Sequence, residues 1–170
     1  MSLDSLIETW SDVREGLIAE VSKIPAGQFD FKATPETRSV AELIQHIIGT
    51  QAVLVGEMCR PDTNLMRAPF PELIKEYAGE VVLTTDKDGL LKLLASSQEA
   101  AAEKIRAFGE EPLHEQTRRF DGKVTTKLGF LHFSYSHEMY HRGQLTVYER
   151  LMNIEPALTT RIKELFSARS

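Results

Sequence analysis

The chain contains 170 residues, of which 42% are hydrophobic and 26% are charged, and its net charge at pH 7 is −5. This composition is typical of a globular protein and excludes an intrinsically disordered one. The acidic balance, with no basic run longer than Arg118-Arg119, argues against nonspecific binding to nucleic acid. We expect one folded domain over residues 1–170, with a core large enough to form without disulfides.

Features that report on cellular location favour a soluble protein of the cytoplasm. The N-terminal sequence MSLDSLIETW lacks the basic and apolar segments of a signal peptide, and no apolar stretch reaches the roughly 18 residues of a membrane span. The single cysteine, Cys59, excludes an intramolecular disulfide. Because Cys59 follows Met58 in an apolar stretch, we interpret it as a small buried hydrophobe rather than a nucleophile.

Two amphipathic helices are predicted in the first third of the chain. Apolar residues recur at intervals of three and four over residues 3–24, and Pro25 ends this first helix. Ser39 and Glu42 have the spacing of a capping box, which predicts a second helix over about residues 40–60.

Two further long helices are predicted in the rest of the chain. Thr85 with Asp88 resembles another N-terminal cap, and the apolar positions that follow predict a third long helix ending at Gly109. A fourth runs from about Thr126 to Met152. Four long helices joined by connections that can cross a bundle predict an all-α fold, an up-down-up-down-like four-helix bundle.

Shorter elements are expected between and after the long helices. Pro71 can begin a short helix that continues to about Tyr77. The Asp121-Gly122 pair is a turn signal that predicts a small hairpin. Asn153 is a candidate C-terminal cap for the fourth long helix, and Pro156 can begin a short C-terminal helix.

The most informative segment is residues 137–145, which read HEMYHRGQL. It places His137 and His141 four residues apart on the fourth long helix. Such residues lie about 40° apart around the helix axis and one turn apart along it, so both imidazoles can reach one ion. This pair forms half of a metal site and needs at least one more ligand.

His46 is the candidate third ligand. It lies within the second predicted helix beside Ile44 and Ile47, which we expect to face the core. A buried imidazole requires polar partners, because leaving it unpaired costs on the order of 1–3 kcal/mol. A hydrogen bond would also satisfy an isolated histidine. Histidines on facing helices are, however, how bundle cores build metal sites, and three imidazoles with an open position are typical of a catalytic site. Nitrogen ligands favour zinc or nickel.

The other two histidines are not expected to join this site. His132 precedes His137 by five residues and therefore points about 140° away around the helix. His114 follows Pro112 in a predicted connection, where we expect it to be solvated.

The same helical geometry sorts the neighbours of the histidine pair. Gln144 and Tyr148 follow His137 by seven and eleven residues, so they lie within about 20° of its direction. They are candidate catalytic residues that could orient a substrate, or they could form hydrogen bonds inside the bundle. Glu138 and Arg142 point elsewhere, which predicts interhelical or surface roles, and Gly143 predicts a close helix contact.

Two segments together resemble the DinB/YfiT-like family: RSVAELIQH at residues 38–46 and HEMYHRGQL at residues 137–145. The resemblance extends from the first helix to the Pro156 segment, and HxxxHRGQ is more specific than a bare HxxxH. It implies a four-helix bundle that holds a divalent metal through His46, His137 and His141. It also implies a homodimer.

The resemblance leaves three functional hypotheses open. Several members of the family are metal-dependent transferases that use a low-molecular-weight thiol such as bacillithiol or mycothiol, which favours such a transferase acting on an electrophilic small molecule. A metal-dependent hydrolase of small esters or amides is the second hypothesis, because a bound ion lowers the pKa of water. The third is a non-catalytic metal-binding protein associated with stress.

Overall fold

The computed structural model of the chain describes residues 2–168. Its helices are α1 (Leu3–Lys23), α2 (Val40–Met58), α3 (Phe70–Ala78), α4 (Lys87–Phe108), α5 (Lys127–Leu151) and α6 (Ala157–Ser167), and its strands are β1 (Gln116–Arg118) and β2 (Val124–Thr126). The prediction of an all-α four-helix bundle with a short C-terminal helix is confirmed. Within the described range, no helix has the length and apolarity needed to span a membrane.

The long helices surround a common core, and each packs against two others. Helix α1 packs against α4 and α5, and α2 packs against the same two helices. Two pairs of consecutive long helices, α1 with α2 and α4 with α5, therefore lie diagonally across the bundle. The seam between α2 and α5 is the one that brings the predicted histidines together.

Helices α2 and α4 run in the same direction, which departs from the alternation expected of an up-down-up-down bundle. Gln51 donates to Gln98 at 2.7 Å, and the Cys59 thiol lies 3.9 Å from the Lys104 carbonyl. Residue numbers therefore increase in the same direction along both helices. The reason lies in the connection between them. It returns the chain to the start of α2, where Gln45 donates to the carbonyl of Thr84 at 2.7 Å.

Local capping chemistry sets the helix starts. The predicted capping box of α2 is confirmed: Ser39 Oγ accepts from the Glu42 amide at 3.2 Å, and the Glu42 carboxylate accepts from the Ser39 amide at 2.7 Å. The cap predicted at Thr85 is wrong by one residue, since Asp86 accepts from the Gly89 amide at 2.8 Å. A carboxylate is a strong acceptor, and the missing side chain at Gly89 lets it approach closely.

The predicted hairpin and C-terminal cap are both present. Strands β1 and β2 pair antiparallel with Thr117 opposite Thr125, and Gly122 adopts a φ of +80° in the turn. Asn153 has a φ of 60° immediately after the last residue of the α5 cap, as a left-handed C-terminal cap requires. The close helix contact predicted at Gly143 is wrong, because nothing lies within 4 Å of the position of an added Cβ.

A buried polar layer lies between two hydrophobic clusters of the core. At its centre is Arg14, whose side chain is 2% exposed and whose guanidinium contacts the equally buried carboxylate of Glu138 at 2.5 Å. Arg14 also donates to the Leu94 carbonyl at 2.7 Å and to Gln51 at 2.9 Å, and Trp10 donates to Glu138 at 3.0 Å. One guanidinium therefore links all four long helices.

We expect Arg14→Met to destabilise the fold by about 3–5 kcal/mol, because it leaves the Glu138 carboxylate buried without its cation. Chemical denaturation measures the free energy of unfolding. The double variant Arg14→Met/Glu138→Leu should recover part of this loss, whereas Asp62→Asn, at the exposed Arg60–Asp62 pair, should leave the free energy unchanged. An Arg14→Met variant as stable as the parent protein would contradict this role.

A second buried acidic group lies where α6 meets the bundle. The Glu20 carboxylate accepts from the amides of Ala157 and Leu158 at the start of α6, and it pairs with Arg142 at 3.2 Å.

Neither carboxylate oxygen of the fully buried Glu149 has a hydrogen-bond partner among the described residues. Burial, reinforced by the nearby Glu20, raises the pKa of Glu149 to about 7.

This raised pKa predicts that the protein loses stability as the pH rises through about 7. The folded protein holds the Glu149 proton more tightly than the unfolded chain does. The protonated Glu149 carboxyl therefore stabilises the folded state fully below the pKa of the unfolded chain, and this stabilisation disappears as the pH rises through the folded pKa. Lys23, Arg142 and Arg150 reduce the repulsion between Glu149 and Glu20.

Glu149→Gln should remove on the order of 2 kcal/mol of this pH dependence between about pH 5 and about pH 8. Thermal and chemical unfolding of both proteins across this range measure the difference. Glu99→Gln, at an exposed position of α4, is the control and should not alter the profile. Parallel profiles for the parent and Glu149→Gln would contradict the expectation.

Candidate metal centre

Three imidazoles converge in the middle of the α2–α5 seam. His46 comes from α2, and His137 and His141 come from successive turns of α5. The Nε2 atom of His137 lies 3.1 Å from that of His46 and 3.1 Å from that of His141, and the three ligand nitrogens all lie within 4.8 Å of one another. The structure thus brings together the three histidines singled out from the sequence.

Hydrogen bonds among the imidazoles alone cannot give all three Nε2 atoms a good partner. His137 Nε2 faces a nitrogen on each side, and a single N–H can point well at only one of them. The remaining nitrogens present lone pairs to one another, which is repulsive unless a cation lies between them. The donor set is therefore suited to a metal ion.

The protonation states agree with this use of the nitrogens. Burial lowers the pKa of His46 to about 4 and that of His137 to about 3, and burial also lowers the pKa of His141. The positive charge of Arg38 acts in the same direction on all three. The imidazoles are consequently neutral at pH 7, which is the form that binds a metal.

The nitrogen separations also fit a shared ion. Two nitrogens that are each about 2.1 Å from one ion lie about 3.0 Å apart at a right angle and about 3.4 Å apart at the tetrahedral angle. The two separations of 3.1 Å fall between these values. The third pair, the nitrogens of His46 and His141, lies within 4.8 Å, so all three nitrogens can surround one position.

Gln144 and Tyr148 form a hydrogen-bonded chain behind His141. His141 Nδ1 lies 3.0 Å from Gln144 Oε1, Gln144 Nε2 lies 3.4 Å from the Tyr148 hydroxyl, and that hydroxyl donates to the Arg38 carbonyl at 3.0 Å. Because Gln144 Oε1 can only accept, it holds the proton on Nδ1 and leaves His141 Nε2 free as a ligand. Of these two candidate catalytic residues, Gln144 thus contacts a ligand side chain and Tyr148 contacts the backbone of Arg38.

The opposite end of the seam is apolar and open. A cavity of about 350 Å³ borders His46 and His137. Thr50 and Leu54 enter its wall from α2 and Phe133 enters from α5, since these residues lie one or two turns from the histidines along their helices. A small molecule could reach the imidazoles of His46 and His137 from this side.

The residues expected to point away from the cluster do so. Glu138 turns toward α1 and pairs with Arg14, and Arg142 crosses Gly16 to reach Glu20. His132 lies 3.2 Å from the Tyr135 hydroxyl and does not belong to the cluster. Glu138 and Arg142 thereby tie α5 to α1.

Cys59 and His114 also lie outside the centre. Burial raises the pKa of the Cys59 thiol to about 11, so it is protonated at neutral pH and is not a nucleophile. His114 is exposed in a short 3₁₀ turn, Glu111–His114. His114 is solvated as expected, and Cys59 is not a nucleophile, although it is half-buried rather than buried.

Several residues of the centre were missed by sequence reasoning. Thr50 and Phe133 could have been found, because each lies four residues from a histidine on the same helix face. Phe70 and Phe120 reach the cavity from the start of α3 and from the hairpin turn, and no sequence spacing relates them to the histidines. Arg38 is part of the RSVAELIQH segment, but its effect on the pKa of the three histidines does not follow from that segment.

The fold and the site together define a helical bundle with a three-histidine cluster between two of its helices. The sequence matches the DinB superfamily over residues 7–145. This match covers most of the chain, which therefore belongs to the DinB superfamily. Comparison with curated protein sequences gave no match.

Solved structures share the fold at low sequence identity. A DinB-like protein from Bacillus subtilis is 21% identical, with a TM-score of 0.66 over 88% of this chain and 92% of that one. YfiT from Bacillus subtilis, described as a probable metal-dependent hydrolase with an unusual four-helix bundle topology, is 17% identical, with a TM-score of 0.69 over 91% of both chains.

A mycothiol-dependent maleylpyruvate isomerase also shares the fold. It is 16% identical to this chain, with a TM-score of 0.68, and the similarity covers 85% of this chain but only 61% of the isomerase. At such identities these likenesses show the common bundle and leave the reaction open.

We expect Gln144→Ala to weaken the binding of a divalent ion by about 10- to 100-fold, because His141 loses the acceptor that orients it. Tyr148→Phe should have a smaller effect in the same direction. Competition with a chromogenic chelator measures the affinity. Ser136→Ala, on an exposed position of the same helix, should match the parent protein, and an unchanged affinity in Gln144→Ala would refute the orienting role.

Proposed function

We propose that this protein binds a divalent ion, zinc or nickel, through His46, His137 and His141, and transfers a low-molecular-weight thiol to an electrophilic small molecule. The observation behind the proposal is the convergence of three neutral imidazole nitrogens beside an apolar cavity. Three neutral ligands and an open side are typical of catalytic rather than structural metal sites.

The residues of the chain would divide the work of this reaction. A divalent ion with three neutral ligands keeps its positive charge and lowers the pKa of a thiol that reaches it. Gln144 fixes the tautomer of His141. The wall formed by Leu54 and Phe133 excludes water from the approaching electrophile and so protects the thiolate from solvation.

Hydrolysis fits the site less well than thiol transfer. Hydrolysis gains from a carboxylate that accepts a proton from water, and the metal-binding group found in residues 2–168 contains histidines alone. Glu42 caps α2 and pairs with Lys32 at 3.0 Å, while Glu138 is held by Arg14. A thiol has a free pKa of about 8.5 and would lose its proton to solvent on binding the ion, so it needs no such base. Its sulfur would then form the new bond to carbon as a leaving group departs from the electrophile with the electrons of the broken bond.

His141→Ala should abolish stoichiometric metal uptake, since two imidazoles alone hold an ion weakly. The same result is expected for His46→Ala and His137→Ala. Native mass spectrometry of zinc-loaded protein measures the bound metal. His132→Ala is the matched control on α5 and should bind one equivalent, and full retention of metal by His141→Ala would refute the three-histidine site.

We expect the visible spectrum of the cobalt-substituted protein to change when bacillithiol, mycothiol or glutathione is added. His132→Ala should respond like the parent, and His141→Ala should not respond. Ester and amide hydrolysis is assayed on the same preparation. Hydrolysis without a thiol response would replace the transferase by a hydrolase, and the absence of both would leave a non-catalytic metal-binding protein.

A further inference from the structure

The cavity beside His46 and His137 has walls that differ in kind from the rest of the α2–α5 seam. Its volume is about 350 Å³, which lies within the usual range for small-molecule sites. An apolar cavity of about 150 Å³ accommodates benzene, so this one can hold a substituted aromatic ring. Apart from Thr50 and the two histidines its wall is apolar, and within residues 2–168 no Asp, Glu, Lys or Arg side chain lines it.

Aromatic side chains form a continuous path from the cavity mouth to the histidines. The rings of Phe120 and Phe133 lie 6.1 Å apart, and Phe133 lies 5.8 Å from the ring of His137. Phe130 is stacked on Phe133 at 5.4 Å and fixes its orientation from beneath. These separations are those of paired aromatic rings, and an aromatic ligand in the cavity would extend the series.

Two of the aromatic residues, at the start of α3 and in the hairpin turn, lie at the mouth of the cavity. Phe70 is 38% exposed and Phe120 is 49% exposed, although both contribute to the cavity wall. Single apolar side chains on a surface are ordinary, but these two flank the same opening. Their exposed area would be buried by a ligand that fills the cavity.

The other side of His46 has a different character. A second cleft there has polar side chains from Arg38, Glu42 and Gln45 beside apolar ones from Pro71, Ile74 and Val82. It shares His46 and Phe70 with the apolar cavity. Polar and charged groups of a ligand can remain hydrated or find partners on this side. In the part of the apolar cavity that lies away from the histidines, a charge would lose its hydration without gaining a partner.

We propose that the apolar cavity binds the uncharged aromatic part of the electrophile, with Phe70, Phe120 and Phe133 as its specificity-determining contacts. This assignment rests on the proposed function, because it places the aromatic group within reach of the metal-binding nitrogens. It makes neutral aromatic compounds, rather than small dicarboxylates or phosphates, the substrate class of this protein.

Matched fluorinated probes test the assignment by ¹⁹F NMR without any assay of activity. The full-length zinc-loaded protein is titrated with 4-fluorobenzyl alcohol, which is neutral, and with 4-fluorobenzenesulfonate, which is anionic and a poor zinc ligand. Broadening and shift of the fluorine signal give each dissociation constant. The neutral probe should bind at least about tenfold more tightly. Equal affinities, or tighter binding of the sulfonate, would overturn the proposal.

Variants at the mouth locate the binding site. Phe70→Ala and Phe120→Ala each remove a partly exposed ring, so both variants should fold, and each should weaken binding of the neutral probe by about three- to tenfold. Leu165→Ala removes a 54% exposed side chain of α6 and is the control. Unchanged binding in both phenylalanine variants would overturn the assignment.

Metal content measured by mass spectrometry on the same samples separates this assignment from the proposed function. Neutral-probe binding that depends on Phe70 and Phe120 supports the cavity assignment, even in protein that fails to take up zinc. Full zinc uptake without probe binding overturns the cavity assignment and leaves the metal site standing.

Discussion

The structure depends on one buried ion pair, between Arg14 on α1 and Glu138 on α5. Glu138 is adjacent to His137, and neighbouring residues on a helix point about 100° apart. When Glu138 is fixed toward α1, His137 and His141 must face α2. Because Arg14 also contacts α2 and α4 through Gln51 and Leu94, the pair sets the rotation of α5 against the whole bundle.

The two ends of the α2–α5 seam have opposite chemistry, and this asymmetry gives the site its direction. At one end, Gln144 and Tyr148 tie His141 to the backbone at Arg38 and close the seam with hydrogen bonds. At the other end, Leu54 and Phe133 leave an apolar cavity. A ligand can therefore approach His46 and His137 from one side, while the other side holds His141 in place.

Local patterns predicted much of this molecule because they depend on neighbours within one or two helical turns. The capping box of Ser39 and Glu42 and the face shared by His137 and His141 are of this kind. Predictions failed where a contact comes from elsewhere. The N-terminal cap of α4 is Asp86 rather than the predicted Thr85, because the Asp86 carboxylate can approach Gly89 closely. Gly143 was predicted to make a close contact and instead faces open space. The homodimer that the family resemblance implies remains a prediction.

The sequence by itself determined the helical class, the limits of the long helices and three histidines able to share an ion, since periodicity and capping are local properties of the chain. Only the tertiary structure decided that α2 and α4 run in parallel and that Arg14 is the partner of Glu138. It alone brought Phe70 and Phe120 to one cavity. Such contacts join residues that are distant in sequence, and their formation depends on how whole helices pack.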